Sequence, residues 1–278
     1  MELVLALILG LVIGSFLNVC ILRIPLEVPI TVPRSHCPHC KKLIRWYDNV
    51  PVLSYLILGG RCRRCKKKIS ARYPLIEAVT GLISVLLYLK FGLGVEWAIF
   101  FLFSAALLVL AFIDIDHRIL PDVITLNGIW LGAIASVYLA EPSPLVSRIL
   151  RSAGLDVTNP RIIALVGSLL GVVAGGGLLW GVAAAYLRLR GIEGMGFGDV
   201  KMMAMVGALL GAPMALLTIM LGSLLGSVVG LTFMRLTGKS RDYELPFGTF
   251  LGIAGIVAVL YGEDLVRLYF ERIIQPAL

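Results

Sequence analysis

Three sets of side chains in this 278-residue chain have types and spacings that could do chemistry. The first is Gly194-Met195-Gly196-Phe197-Gly198-Asp199-Val200-Lys201, an acid at the end of a glycine ladder. From Val200 to Met234 the sole charge is Lys201, so Asp199 stands at the edge of a long apolar run. An ionisable group there costs free energy and points to a functional site with a partner. Alternating glycines permit irregular backbone and the close approach of another segment. The alternative is a plain loop in which Asp199 caps the next helix.

A partner acid is offered by Phe112-Ile113-Asp114-Ile115-Asp116-His117-Arg118-Ile119-Leu120-Pro121-Asp122. Asp122 follows Pro121 and reads as a helix N-cap. Asp116 lies past the apolar run and reads as solvated or paired with Arg118. Asp114 closes the run directly after Ile113. Two acids facing one cavity would titrate as a coupled pair sharing a proton. One carboxylate then takes a proton from water while the other, protonated, polarises a peptide carbonyl. His117 is either a third party or an exposed interfacial residue.

The third set is Cys37-Pro38-His39-Cys40 and Cys62-Arg63-Arg64-Cys65, two CxxC knuckles joined by the segment 41–61. Each short knuckle can deliver two sulfurs to one ion at about 2.3 Å, so the spacing predicts a four-thiolate zinc site. Four protein ligands leave no open position, which makes the zinc structural. Neighbouring Lys and Arg would offset its negative charge. A thioredoxin-like redox role needs a CxxC within a βαβ unit, and no such unit is predicted. His36 and His39 are alternative ligands or solvated neighbours. Cys20, in the first apolar run, reads as a small buried hydrophobe.

The elements that position these groups follow from composition. The chain is 59% hydrophobic and 15% charged, with a mean hydropathy of +0.94. Soluble domains average about 45–50% apolar and about 25% charged. This is therefore an integral membrane protein, and its continuous apolar runs predict helices rather than a barrel. The expected fold is an all-α polytopic bundle of about eight spans: 2–22, 74–90, 97–113, 123–140, 162–187, 200–211, 213–234 and 248–266. Ala212-Pro213 must turn the chain between the two short, glycine-rich crossings. Residues 2–22 are expected to be a retained first span, not a removed signal peptide. No internal repeat is evident.

The net charge of +8 is concentrated: eleven Lys and Arg fall between Arg34 and Arg72 against one acid, Asp48. That is the signature of a loop held in the cytoplasm, and it argues against nucleic acid as the partner. The connections at 114–122, 188–199 and 235–247, with Arg118, Arg188, Arg190, Arg235, Lys239 and Arg241, are placed on the same side. Those at 91–96 and 141–161 are placed outside. Pro25, Pro29 and Pro33 break any helix before the basic loop. Three parts are expected: a first span over 1–22, a zinc-binding domain over 23–73, and a membrane core over 74–278. Glu77, one turn inside the second span, is either a satisfied structural acid or lines a polar pocket. Ser15 and Asn18 in the first span either pair with a neighbouring helix or face a cavity.

The whole chain resembles the type IV prepilin peptidases, GxGD aspartic membrane proteases, in their bifunctional peptidase and N-methyltransferase form. The resemblance rests on Gly14-Ser15-Phe16-Leu17-Asn18-Val19, on the two knuckles around Trp46-Tyr47-Asp48-Asn49-Val50-Pro51, and on Arg72-Tyr73-Pro74-Leu75-Ile76-Glu77. It continues through Asp114 to Pro121-Asp122, Gly196-Phe197-Gly198-Asp199, and Pro246-Phe247-Gly248. It implies a catalytic pair, Asp114 and Asp199, supported by Gly196 and Gly198. That pair would cut prepilins and type II secretion pseudopilins after glycine at the cytoplasmic edge of the inner membrane. It also implies methylation of the new N-terminus with S-adenosyl-L-methionine as donor. The donor-binding residues are not assigned by it; Glu77 is the candidate. Membrane lipid is a further expected contact, and the oligomeric state is open. The alternatives are a peptidase with a purely structural zinc domain, and an ion- or proton-coupled transporter whose acids relay charge.

Overall fold

The computed structural model describes residues 1–32, 34–140, 143–192, 194–237 and 245–269. Pro33, and Lys239 and Arg241 of the 235–247 connection, lie outside the described residues. Every regular element among those described is helical, and extended segments meet only in two isolated β-bridges. Among the described residues, seven helices are long and apolar enough to cross a membrane. They are α1 (Glu2–Arg23), α2 (Arg72–Phe91), α3 (Val95–His117), α4 (Asp122–Leu139), α5 (Pro160–Arg190), α6 (Phe197–Thr237) and α7 (Phe247–Tyr269). The protein is an all-α, multi-pass membrane protein. The chain divides into two compact units, Met1–Val109 and Leu110–Leu278.

In the first unit, α1 and α2 pack through small residues, because lipid offers no hydrophobic drive and close backbone contact must hold them. A Cβ on Gly10 would stand 2.6 Å from Ser84 Cβ; one on Gly14 would stand 2.7 Å from Glu77 Cα. Gly10 and Gly14, one turn apart on one face, therefore bring the two backbones into contact. The Ser84 hydroxyl donates to the Ala6 carbonyl at 2.6 Å across this seam. Between these helices the chain carries the knuckles, a 3₁₀ turn at Trp46–Asp48 and a short helix at Leu53–Ile57.

In the second unit, α6 is the hub. Gly128 and Gly132 of α4 lie against Met205 and Ala208, and Gly171 and Gly176 of α5 lie against Gly207 and Ala204. The α5 backbone widens into a π turn at Val173–Gly177, where Gly175 meets α6. Within α6 the backbone is broken at Gly211, with φ 77° and ψ 175°, two residues before Pro213. This is a reversal and not a bend. A Cβ on Gly175 would meet both the Met203 carbonyl and, at 3.2 Å, the Ala215 Cβ. In a straight helix those residues would be about 18 Å apart. After the break, Gly222 and Gly226 pack on Leu251 and Phe250 of α7. The expected short crossings at 200–211 and 213–234 are thus the two arms of one interrupted helix. The first arm, of about 14 residues, is only about 21 Å long.

Candidate active site and metal centre

Asp114 sits in the last turn of α3, which ends where Arg118 takes a left-handed φ of 55° and its amide closes on the Asp114 carbonyl at 2.9 Å. Asp199 sits in the first turn of α6. The two residues are 5% and 7% exposed. They meet at Gly248, in the first turn of α7: its missing Cβ would stand 3.0 Å from Asp199 Oδ1 and 3.2 Å from Asp114 Oδ2. The gap between the two oxygens therefore cannot exceed the sum of those distances. Three helix ends converge on one point, and any side chain at 248 would wedge between the acids.

The glycine ladder has a steric reason. A Cβ on Gly198 would fall 2.9 Å from Leu120 Cβ, and Leu120 is buried, with its Cδ1 also 2.9 Å from the position of a Gly248 Cβ. Leu120 is thus a wedge seated between two glycines beside the acids. Gly196 is less constrained; its Cβ would meet only Asp199 Oδ2, at 3.9 Å.

Asp114 is also held from α7. The Thr249 amide donates to its Oδ2 at 2.7 Å, and the Thr249 hydroxyl lies 3.0 Å from both that oxygen and the Ala111 carbonyl. The hydroxyl has one hydrogen, so it serves one acceptor at a time. Sequence reasoning missed Thr249; the signal for it was Pro246, which precedes a helix start and leaves the next amides free for an acid. Asp122 is not an N-cap. It is the first helical residue of α4 and pairs with Lys201 at 2.6 Å, tying the starts of α4 and α6 together. Asp116 and His117 are exposed.

In the first unit the sulfurs of Cys37, Cys40, Cys62 and Cys65 all lie within 4.8 Å of one another, with Cys37 and Cys65 3.9 Å apart. Four sulfurs tetrahedrally placed on one zinc would be about 3.8 Å apart. The donor set and spacing fit such an ion. The two knuckles are local copies of one turn, the second starting at Cys62 as the first starts at Cys37, a repeat that composition did not reveal. In one, the Cys37 amide donates to the Lys42 carbonyl at 3.0 Å and the Lys41 amide to Cys37 at 2.9 Å; in the other, Cys62 and Lys67, then Lys66 and Cys62, repeat both values. Lys41 and Lys66 take the same left-handed φ, 56° and 58°. Amide donors from Cys65 and Arg64 pull the Cys62 thiol down to about 6. Neither His36 nor His39 joins the four sulfurs.

Glu77 of α2 is 8% exposed and accepts the Val52 amide at 2.7 Å. Asn18 of α1 donates to Gly14 and, across to α2, to the Tyr73 carbonyl at 3.1 Å. Both also line a cavity of about 450 Å³.

Two family profiles cover most of the chain: the bacterial peptidase A24 N-terminal domain over residues 8–91, and the type IV leader peptidase family over 101–231. A prepilin leader peptidase/N-methyltransferase of Pseudomonas putida is 37% identical, covering 94% of this chain and 91% of its own. The chain belongs to the type IV leader peptidase family. Proteins of the same description from Pseudomonas aeruginosa and Aeromonas hydrophila are each 35% identical, over 95% and 93% of this chain and 92% and 90% of theirs. No solved structure matches.

Proposed function

We propose that this chain cuts the leader from type IV prepilins and type II secretion pseudopilins after a glycine, then methylates the new N-terminal residue. The observation that carries the first half is the meeting of Asp114 and Asp199 at Gly248, two buried carboxyls that would both touch a Cβ at that position. They share one proton. The carboxylate takes a proton from water, the hydroxyl attacks the carbonyl carbon, and the protonated acid donates to the carbonyl oxygen. Collapse of the tetrahedral intermediate breaks the C–N bond, and the leaving amine takes up a proton. Thr249 and Leu120 orient the pair, and Gly198 and Gly248 make room for it.

The site suits its substrate. A prepilin has a basic leader that stays in water and an apolar helix that stays in lipid, so its cleavable junction is at a membrane face. Both aspartates sit at helix ends, where such a junction would arrive. The positive loop over 34–72 supports a cytoplasmic, inner-membrane reading of that face. Its basic residues contact anionic headgroups.

Residues 23–73 form the methyl-transfer-associated part, with a structural zinc on Cys37, Cys40, Cys62 and Cys65, and the peptidase core lies within 74–278. S-adenosyl-L-methionine, when bound, supplies the methyl group. What supports two activities over one is the relatives' description, which carries both, and the profile match over 8–91. The test is incubation of purified protein with a prepilin peptide, with and without methyl donor, read by mass. Leader loss plus a gain of about 14 Da on the new N-terminus is expected. Intact peptide would refute the reading; cleavage without the gain would reduce it to a peptidase.

A further inference from the structure

The cavity in Met1–Val109 reaches the metal box, since Cys37, Cys40 and Cys62 are part of its lining, but away from the sulfurs it has a chemical polarity of its own. Its volume of about 450 Å³ falls in the range of small-molecule sites, about 300–1,000 Å³. Asn18 and Glu77 line it, both nine-tenths buried or more. The two hydrogens of the Asn18 amide point to carbonyl oxygens, Gly14 at 3.3 Å and Tyr73 at 3.1 Å. Carbonyls only accept, so the amide orientation is settled, and Asn18 Oδ1 is left as an acceptor. Glu77 takes the Val52 amide at 2.7 Å, which uses one of the roughly four lone-pair sites of a carboxylate. Among the described residues no ion pair neutralises it. On the α1–α2 side Asn18 Oδ1 and Glu77 thus present acceptors to the cavity, while Arg23, also buried on its lining, donates to the Pro29 and Ile30 carbonyls at 3.0 and 3.3 Å.

The opposite character lines the rest. Lys41, Arg45 and Arg64 are exposed and face the same space. Val52, whose amide fixes Glu77, has a φ of 58°. That is a genuine outlier for a β-branched residue, of the kind held in place where a site is built. Gly14 lets the Glu77 backbone close on α1, so the two acceptors are set by helix packing and not by loop conformation.

We propose that this cavity holds the methyl donor, with its adenosine end buried. The ribose hydroxyls and adenine amino group donate to Glu77 and Asn18, and the carboxylate of the amino-acid end lies among Lys41, Arg45 and Arg64. A nucleoside is the matching class: apolar ring, several donors, no charge of its own. This rests on the two-activity reading above.

The test uses full-length, metal-loaded protein in detergent with S-adenosylhomocysteine as probe. Calorimetry is expected to show Glu77→Gln binding roughly ten-fold or more weakly than the unaltered protein, at unchanged metal content. A photoreactive 8-azido analogue is expected to label peptides from 15–77. Equal affinity in the variant overturns the proposal, as does a label within Leu110–Leu278. Should Glu77→Gln lose its metal, labelling of the unaltered chain decides alone. Methyl transfer with a label elsewhere removes the cavity assignment only. No probe binding and no methyl transfer, with leader cleavage intact, removes the two-activity reading.

Discussion

The cysteine box and the aspartate pair both hold anionic side chains close together, and they do so by opposite means. In the box, each pair of sulfurs comes from one short knuckle, and the same hydrogen bonds recur in the second copy. The fold there is local, and four thiolates repel one another unless a cation joins them. The aspartates come from distant parts of the chain, on two helices that meet at a third. In the proposed mechanism their repulsion is met by one shared proton, and their placement by helix packing. One centre should therefore depend on its ion and the other on its packing.

The largest test of this contrast is Asp114→Asn or Asp199→Asn. Either is expected to lower leader cleavage by at least about 10²–10⁴-fold and to leave one metal per chain by elemental analysis. Full cleavage in either variant breaks the pairing. The converse is Cys37→Ser or strong chelation. Structural zinc supplies roughly 10–16 kcal/mol in zinc-finger peptides, so metal should be lost, the loop should become protease-sensitive, and methyl transfer should fall much further than cleavage. Equal loss of both activities would mean that the box also supports the peptidase.

Packing around the acids gives a middle-sized effect. Gly198→Ala collides with Leu120, and overpacking costs about 1–3 kcal/mol; cleavage is expected to fall by about 5- to 150-fold, with partial rescue by Leu120→Ala. Gly196→Ala, whose Cβ meets nothing closer than 3.9 Å, should be milder. Thr249→Val keeps the amide donor and removes the hydroxyl. A hydrogen bond to a charged group is worth about 1.5–3 kcal/mol, so kcat should fall by about 10- to 100-fold at similar KM, and Thr249→Ser should restore it. The smallest effect belongs to the outlying acids. Asp116→Asn and Asp122→Asn should retain most cleavage, the latter because a half-exposed ion pair contributes only about 0–1 kcal/mol. A large loss at Asp122 would show that its tie to Lys201 positions α6.

The sequence by itself determined the features that depend on composition and on short stretches of chain. Apolar runs of about 20 residues dictate spanning helices, since lipid cannot satisfy an open backbone. The knuckles were legible because each chelating pair is contained in a single turn of chain. The two acids were legible as types, and Asp114 stood out because it alone followed the apolar run without a break. Tertiary structure decided the rest. The reversal at Gly211, the acids' meeting at Gly248, the Leu120 wedge and the grip of Thr249 are contacts between helices. So is the ion pair that overruled the cap at Asp122. Helix-to-helix register depends on which small residues face which neighbour, and that information is distributed over the whole bundle. It cannot be read from any one segment.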